Sequence, residues 1–244
     1  MPFTVTDDSS APASMRIGQS AKVRLTSKVT VPSSVVEALY AFGGRTADGT
    51  ADAHGSIGGK ATTATLTVPT TDVPESGSLP VVATGNGGTF RATRTGAVRL
   101  ASGDFTATLN VYDENGDPLS TVFASSPVTF SCTAPANGTF DTITVRKDTT
   151  RTDVVAATVR KGKKATVRIT VRSVHGTTPT GKVKVRIKKG RKTIEKKVVR
   201  LRHGRAAAKM PVRLKEKGTY KAVARYVGTS TLVKSSGAHK FKVR

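Results

Sequence analysis

The chain is poor in cysteine and in aromatic residues, and each scarcity excludes a class of protein. Cys132 is the one cysteine among 244 residues, which excludes a framework of internal disulfides and a metal site built from several cysteines. Tryptophan is absent, and only 8 Phe and 4 Tyr are present. No apolar run approaches the ~20 residues that a membrane-spanning helix needs, so we expect no transmembrane segment.

Short segments rich in Val and Thr take the place of long apolar runs. They alternate with clusters of Gly, Pro and Asn, a composition that favours strands over helices. A chain of this length usually forms two domains, each able to bury its own core. We therefore predict an all-β protein made of two consecutive β-sandwich domains.

Acidic residues are nearly missing from the second half of the chain. Residues 1–145 hold 9 Lys and Arg against 12 Asp and Glu, whereas residues 146–244 hold 31 against 4. This break predicts a domain boundary at Arg146, which separates a first domain, 1–146, from a strongly basic second domain, 147–244. A positive field of this strength favours polyanionic partners.

The second domain shows the two-residue alternation of half-buried strands. In KVKVRIK, Val183, Val185 and Ile187 alternate with basic residues, so we expect the aliphatic side chains to point inward and the basic ones outward. Gly190 in KGRK suits a hairpin turn. The next segment, KKVVRL, continues as a strand, with an irregularity predicted at its two valines. Similar segments predict six or seven strands, the number typical of a β-sandwich.

Four of these segments resemble the bacterial Ig-like repeat family. They are GKVKV, VVRLRHGRAAAKMPV, GTYKAVARYVG and the closing HKFKV, and the likeness covers residues 147–244. The resemblance implies an Ig-like sandwich that acts as a spacer or adhesion module. Tyr220 follows Gly and Thr at the start of a strand, where Ig-like sandwiches bind a tyrosine hydroxyl to the backbone. We predict a structural role for it.

The first domain is also rich in predicted strands. SAKVRLTSKVTVP, ATTATLTVP, GAVRL, FTATLNVYD and PVTFSC are the clearest of them. SSVVEALY is the one helical candidate, because Ser34 and Glu37 match a capping box. In YDENGDPLS we predict a turn centred on Asn115 and Gly116.

Residues 20–145 resemble an uncharacterised β-sandwich family of secreted actinobacterial proteins. GQS followed by VTVP, and VTFSCTAP near the end, carry the likeness. In that family the late cysteine pairs with one near the start of the domain. The resemblance therefore implies that Cys132 has lost its partner and that an upstream segment is missing. MPFTVTDDSSAPAS has neither the basic start nor the apolar core of a signal peptide, so the export signal is expected upstream as well.

Three motifs that could carry chemistry are incomplete. HGSIGGKAT has His54 and Ala61 where a phosphate loop needs Gly and Ser or Thr, so we expect a surface loop. Asp113, Asn115 and Asp117 have calcium-loop spacing, but Pro118 replaces the required glycine. Cys132 has no recognisable nucleophile setting, and the possible bases are His54, His175, His203 and His239. We therefore expect no enzyme, no metal site and no cofactor.

The basic stretch 182–201 is the strongest functional signal. We predict that it binds an anionic cell-envelope polymer in an exported protein, through charges shared among many residues. Two alternatives stay open, a nonspecific nucleic-acid-binding protein and a carbohydrate-binding module in the first domain. The predicted polyanion-binding residues are Lys182, Lys184, Arg186, Lys188, Lys189, Arg191, Lys192, Lys196, Lys197 and Arg200.

Overall fold

The computed structural model describes residues 4–120, 126–133 and 138–244. Strands make up 68% of the described residues and helix 4%, so the all-β sandwich prediction is confirmed. Contacts between Cα atoms divide the chain into two compact units, and each is described by itself. The first unit comprises Met1–Ser14, Ser20–Phe90 and Ala97–Thr144, and the second comprises Met15–Gln19, Arg91–Gly96 and Val145–Arg244.

One curled nine-stranded sheet is the main part of the first unit, although a few of its residues, among them Met15 and Arg16, are grouped with the second unit. Its strands are β1 (Thr4–Ser9), β2 (Ser14–Arg16), β3 (Ser20–Val31), β4 (Thr46–Ile57), β5 (Lys60–Asp72), β6 (Leu79–Arg91), β7 (Gly96–Tyr112), β8 (Val128–Cys132) and β9 (Thr139–Arg146). Their order across the sheet is β1-β3-β6-β5-β4-β7-β9-β2, and β8 also pairs with β7. β7 is long enough to pair with both β8 and β9 because it unites two segments, GAVRL and FTATLNVYD, that the sequence predicted as separate strands.

Side chains from distant strands close the curl of this sheet. The Ser102 hydroxyl on β7 donates to the Asp7 carboxylate on β1, and the Ser9 hydroxyl donates to Asp141 on β9. The inner face carries an apolar core of Ala, Val and Leu side chains from β4, β5, β6 and β7, including Leu66 and Val81. β1 is thus held by polar contacts at a margin of this core.

The predicted helix exists, but it begins differently from the prediction. α1 spans Ser33–Ala41, the residue before it is Pro32, and no side chain caps its N-terminus. Ser34 is therefore already inside the helix, and the capping-box prediction is wrong. Pro32 itself is extended, and its carbonyl accepts the backbone N–H groups of Val35 at 3.0 Å and Val36 at 3.2 Å, which starts the first turn. Val36 is the fully buried residue of the helix.

Two predicted turns of the first unit have different outcomes. The stretch 54–62, expected as a surface loop, is a tight hairpin in which Gly58 and Gly59, both at positive φ, join β4 to β5. Such a glycine pair suits a two-residue turn. The turn at Asn115 and Gly116 is confirmed, since the Asp113 carboxylate accepts the Asn115 backbone N–H at 2.8 Å.

The second unit packs two sheets face to face. Its strands are β10 (Thr150–Ala156), β11 (Lys164–Ser173), β12 (Gly181–Lys189), β13 (Lys192–Leu201), β14 (Arg205–Arg213), β15 (Gly218–Tyr226) and β16 (Ser235–Val243). One sheet has the order β10-β11-β14 and the other β13-β12-β15-β16. Seven strands agree with the six or seven predicted, and the turn at Gly190, with φ 57°, lies where it was predicted.

Aliphatic and aromatic side chains fill the space between these two sheets as predicted. Val183, Val185 and Ile187 are at most 1% exposed, so the alternation in KVKVRIK was interpreted correctly. The Tyr220 hydroxyl donates to the Glu216 carbonyl at 3.0 Å, which confirms its structural role. The Tyr226 hydroxyl donates to the Thr180 carbonyl at 2.8 Å, and burial raises the pKa of Tyr226.

Asp148 is the one fully buried carboxylate among the described residues. Its two oxygens accept from His175, one from the ring Nδ1 at 2.6 Å and one from the backbone N–H at 3.0 Å. The backbone of Asp148 also bonds to Thr231 and Val233. The carboxylate therefore fixes the loop after β11 against the start of the unit, a contact that the sequence did not predict.

We expect Asp148→Ala to lower the free energy of unfolding by about 2 kcal/mol, because two donors on His175 lose a buried acceptor. The measurement is urea unfolding of the full chain. Asp153→Ala is the matched control, since its carboxylate is 40% exposed and pairs with an Arg151 side chain that is 83% exposed. Exposed pairs contribute at most about 1 kcal/mol. Equal destabilisation by the two substitutions would contradict the assignment.

Candidate functional site

Basic side chains cover the outward face of the four-stranded sheet, which we call the cationic face. In antiparallel strands, directly opposed residues lie on the same side of the sheet, so the register identifies its members. They are Lys182, Lys184, Arg186, Lys188, Lys196, Arg200, Lys221, Arg225, Lys240 and Lys242. All ten are exposed except Lys188, which is half-buried.

The members of the cationic face are placed opposite one another in rows across the strands. Lys188 on β12 opposes Lys221 on β15, which in turn opposes Lys240 on β16. In the next row Arg186 opposes Lys196, and one row further Lys184 opposes Arg225. Strands lie ≈ 4.8 Å apart and alternate residues along a strand ≈ 6.8 Å apart. The result is a two-dimensional grid of positive charge.

No carboxylate interrupts this grid. The four strands are described throughout, and Glu195 is their one acidic residue. Glu195 opposes Ile187, so it belongs to the side of the sheet that faces the core. Like charges placed directly opposite each other are destabilising, and here no carboxylate on the same face offsets that repulsion.

Six of the ten predicted residues lie on the cationic face, all of them on β12 and β13. Arg191 and Lys192 lie at the exposed end of the hairpin. The remaining two, Lys189 and Lys197, do not point outward as predicted. Lys189 donates to the Glu216 carboxylate, and its Nζ lies 5.7 Å from the centre of the Tyr220 ring. Lys197 Nζ donates to the Lys209 carbonyl at 2.8 Å.

A bulge explains the misplacement of Lys197. The pairing of β12 with β13 shifts between Ile187 and Lys188, which leaves Ile194 as the extra residue. The irregularity was predicted at Val198 and Val199, where the pairing is in fact regular. Val198 consequently points outward and is 55% exposed. Because β13 is an edge strand, an inward-directed lysine can still reach solvent around the edge.

Four members of the cationic face were missed by the sequence analysis. They are Lys221 and Arg225 on β15 and Lys240 and Lys242 on β16. The signal was present in the sequence, because Lys221 and Arg225 alternate with Ala222, Ala224 and Tyr226, and successive strand residues point to opposite sides. Membership of the same sheet as β12 was not predictable, since it depends on the strand order.

The outward face of the three-stranded sheet is basic but of mixed sign. Asp153 lies on it and forms an ion pair with Arg151 at 3.2 Å. Its other cations are Lys164, Arg168, Arg172, Arg205, Lys209 and Arg213. This face offers fewer cations than the cationic face and includes a competing carboxylate.

The ion pair of Lys189 and Glu216 fixes the end of the hairpin. The hydrogen bond from Lys189 lowers the pKa of Glu216 below its ordinary value of 4.5, and the same bond raises the pKa of Lys189. Since the folded pKa of Glu216 is depressed, the stabilising contribution of the pair is present at neutral pH. It is lost as the pH falls through that folded pKa.

Cysteine and histidine have separate environments in the structure. Cys132 is a free, half-buried thiol on β8. His54 Nδ1 lies 3.2 Å from the Thr63 hydroxyl, and His175 pairs with Asp148.

Among the described ranges, no group of three or more His, Cys, Asp or Glu residues is placed to hold a metal ion. Within those ranges, no helix has the length and apolarity needed to cross a bilayer.

We expect Lys189→Met to return the pKa of Glu216 toward its ordinary value, because Lys189 is the main cause of the shift. The measurement is an NMR titration of the side-chain carboxyl carbons in the full chain. Lys188→Met is the matched control, since that lysine lies on the opposite side of the same strand. A Glu216 pKa that responds equally to both substitutions would mean that the general field of the second unit, rather than this hydrogen bond, sets it.

Solved structures show distant likenesses. Dimeric latent PorU from Porphyromonas gingivalis matches 100% of the chain at 15% identity and a TM-score of 0.32, and the chain spans 20% of its length. The mouse nectin-like molecule 4 ectodomain matches 98% at 13% identity and a TM-score of 0.26, with 63% of its length covered. The three N-terminal domains of the bacteriophage RB49 Hoc capsid protein match 99% at 10% identity and a TM-score of 0.26, with 70% of their length covered.

None of these likenesses identifies a function, because TM-scores this low carry no argument. No curated protein matches the chain. The resemblances of residues 147–244 to bacterial Ig-like repeats and of residues 20–145 to secreted actinobacterial proteins stay predictions. One protein-family model matches residues 1–141, in the part of the chain that contains the curled sheet. Since that match covers more than half of the sequence, the chain belongs to the family described as "Family of unknown function (DUF6801)".

Proposed function

We propose that this is a non-catalytic, exported protein of the cell envelope whose second module, residues 147–244, binds an anionic envelope polymer. The cationic face is the binding surface, and its charges act together. One observation carries the proposal: ten Lys and Arg side chains share one side of a sheet that has no carboxylate on that side.

The charge of this face exceeds what folding and solubility need. A face that mixed lysine with glutamate would gain favourable cross-strand pairs and avoid repulsion. Lysines at the edge strand β13 help to keep it from pairing with another chain, but β12 and β15 lie inside the sheet, where that protection is not needed. An anionic polymer laid across the rows would neutralise the repulsion and release counterions.

The shape of the surface favours recognition of charge over recognition of sequence. Tyr220, Tyr226 and Phe241, the aromatic residues of this module, are at most 4% exposed, so no aromatic platform is available for stacking bases. The side chains between the cations are small, for example the exposed Val198 and the half-buried Val223. Nucleic acid thus remains a second polyanion that this face would bind without sequence preference.

Export and envelope location are supported by the resemblance to secreted proteins. The genomic sequence upstream of the codon for Met1 and fractionation of the native cells test this part. An upstream signal segment with a cysteine would support the proposal, and a cytoplasmic protein would contradict it.

We expect full-chain K184Q/R186Q/K221Q/R225Q to bind teichoic acid at least about tenfold more weakly than the native chain, because the centre of the cationic face loses its charge. Duplex DNA is titrated as a second polyanion, because the salt dependence of its binding reports the number of phosphate contacts. The slope of log K against log salt falls by up to about 0.9 for each lost phosphate contact, so a decrease of as much as ~3.6 is expected. Titration at several salt concentrations measures both quantities.

The matched control is R168Q/R172Q/R205Q/K209Q. It removes the same number of charges from the outward face of the three-stranded sheet and should retain most of the affinity and slope. Equal losses in the two variants would show that net charge, and not the cationic face, determines binding. Strong preference for one duplex sequence at about 0.15 M salt would also overturn the proposal.

A further inference from the structure

The curled sheet of the first unit encloses an apolar cavity. Its volume is about 90 Å³, counted as the space open to the centres of water-sized molecules. Strands β1 and β3 to β9 line it, with side chains that include Leu25, Leu66, Val81, Phe105 and Phe130. By the same measure one water molecule needs roughly 10–15 Å³, so the cavity has room for a small organic molecule.

Small residues on the inner face make this room. Ala51, Ala53, Ala83 and Ala107 lie at lining positions on β4, β6 and β7, where larger side chains would fill the space. Several large apolar lining residues are only half-buried, among them Leu25, Phe105, Leu109 and Phe130. A core should bury such side chains, because each Å² of apolar surface left in water forgoes about 25 cal/mol. A molecule that covers them would recover that free energy.

A carboxylate lies among the lining residues. Asp7 Oδ1 accepts from the Ser27 hydroxyl at 2.7 Å, and Oδ2 accepts from the Ser102 hydroxyl. Asp7, Ser27 and Ser102 all line the cavity and come from β1, β3 and β7. An ionised carboxylate has about four acceptor positions, so two hydroxyls leave capacity for a further donor. β1 is fixed by these contacts, which pre-organise the carboxylate.

The charges of the lining select among ligands. Asp7 and His54 are its ionisable residues, and no Lys or Arg lies among the described lining residues. A ligand carboxylate or phosphate would therefore meet a negative charge without a cation to offset it. A sugar would bury many hydroxyls against aliphatic and phenyl side chains, at a cost for each unpaired group. An apolar body with one hydrogen-bond donor satisfies both conditions.

We propose that this cavity binds a small apolar molecule whose single polar group, an amine or a hydroxyl, donates to Asp7. The apolar part lies between Leu25, Phe105 and Phe130. The site belongs to the first unit alone and is independent of the cationic face. Primary alkylamines and alcohols are ligands of this class, and matched alkyl carboxylates are not.

The experiment follows the fluorescence of N-phenyl-1-naphthylamine, an uncharged apolar dye, with the full chain. We expect the dye to bind and to be displaced by decylamine and by decanol at concentrations about tenfold lower than by decanoate, since only the first two donate to the carboxylate. The ratio of the displacing concentrations of decylamine and decanol distinguishes attraction of a charge to Asp7 from hydrogen bonding alone. Absence of dye binding, or displacement by decanoate at equal concentration, would overturn the proposal.

Two substitutions locate the binding. Asp7→Asn should keep dye binding and lose the preference for decylamine over decanoate, whereas Asp8→Asn, at an exposed neighbouring position, should change neither. Ala53→Phe should fill the cavity and abolish dye binding while the circular dichroism spectrum stays native. If Ala53→Phe fails to fold, the ligand preference of Asp7→Asn still tests the proposal. Unchanged preference in Asp7→Asn would remove the assigned role of Asp7, and native binding by a folded Ala53→Phe would show that the dye lies elsewhere.

Discussion

The two-residue period of the β-strand is the constraint on which the second unit depends. Because successive side chains point to opposite sides of a sheet, KVKVRIK sends Val183, Val185 and Ile187 into the core and its basic residues to solvent. On β12, each inward aliphatic residue therefore lies beside cations that belong to the cationic face. The same alternation therefore both buries the aliphatic side chains and places the cations on one surface. Burial in the aliphatic core offsets the repulsion between the charges on the outer face.

The two units use the inside of a sheet in opposite ways. The second unit fills the space between its sheets with Tyr226, Ile187 and Met210, all at most 1% exposed. The first unit has alanine at many inner positions of the curled sheet and leaves Phe105 and Phe130 half-buried. Polar contacts of Asp7 and Ser9 close the curl where apolar packing does not. A cavity is the physical consequence of this choice of side-chain volumes.

Local polar contacts give the second unit features that a count of its charges does not reveal. Asp148 lies buried in the most basic part of the chain, where it accepts two hydrogen bonds from His175. Lys189 belongs by sequence to the basic stretch 182–201, yet its hydrogen bond to Glu216 gives it a structural role. The net charge of a segment thus does not tell which of its lysines are available to a partner.

The sequence by itself determined the all-β class, the inward residues of β12, the Tyr220 hydrogen bond and the turn at Gly190. Each follows from period, composition or turn chemistry within a few residues. Only the tertiary structure decided that Lys221, Arg225, Lys240 and Lys242 share a face with β12, because strand order is set by contacts distant in sequence. The bulge at Ile194, the Pro32 start of α1 and the union of two segments into β7 likewise depend on packing against neighbours. The cavity, with Asp7 beside Ser102, exists because a sheet curls, and no local pattern encodes that curvature.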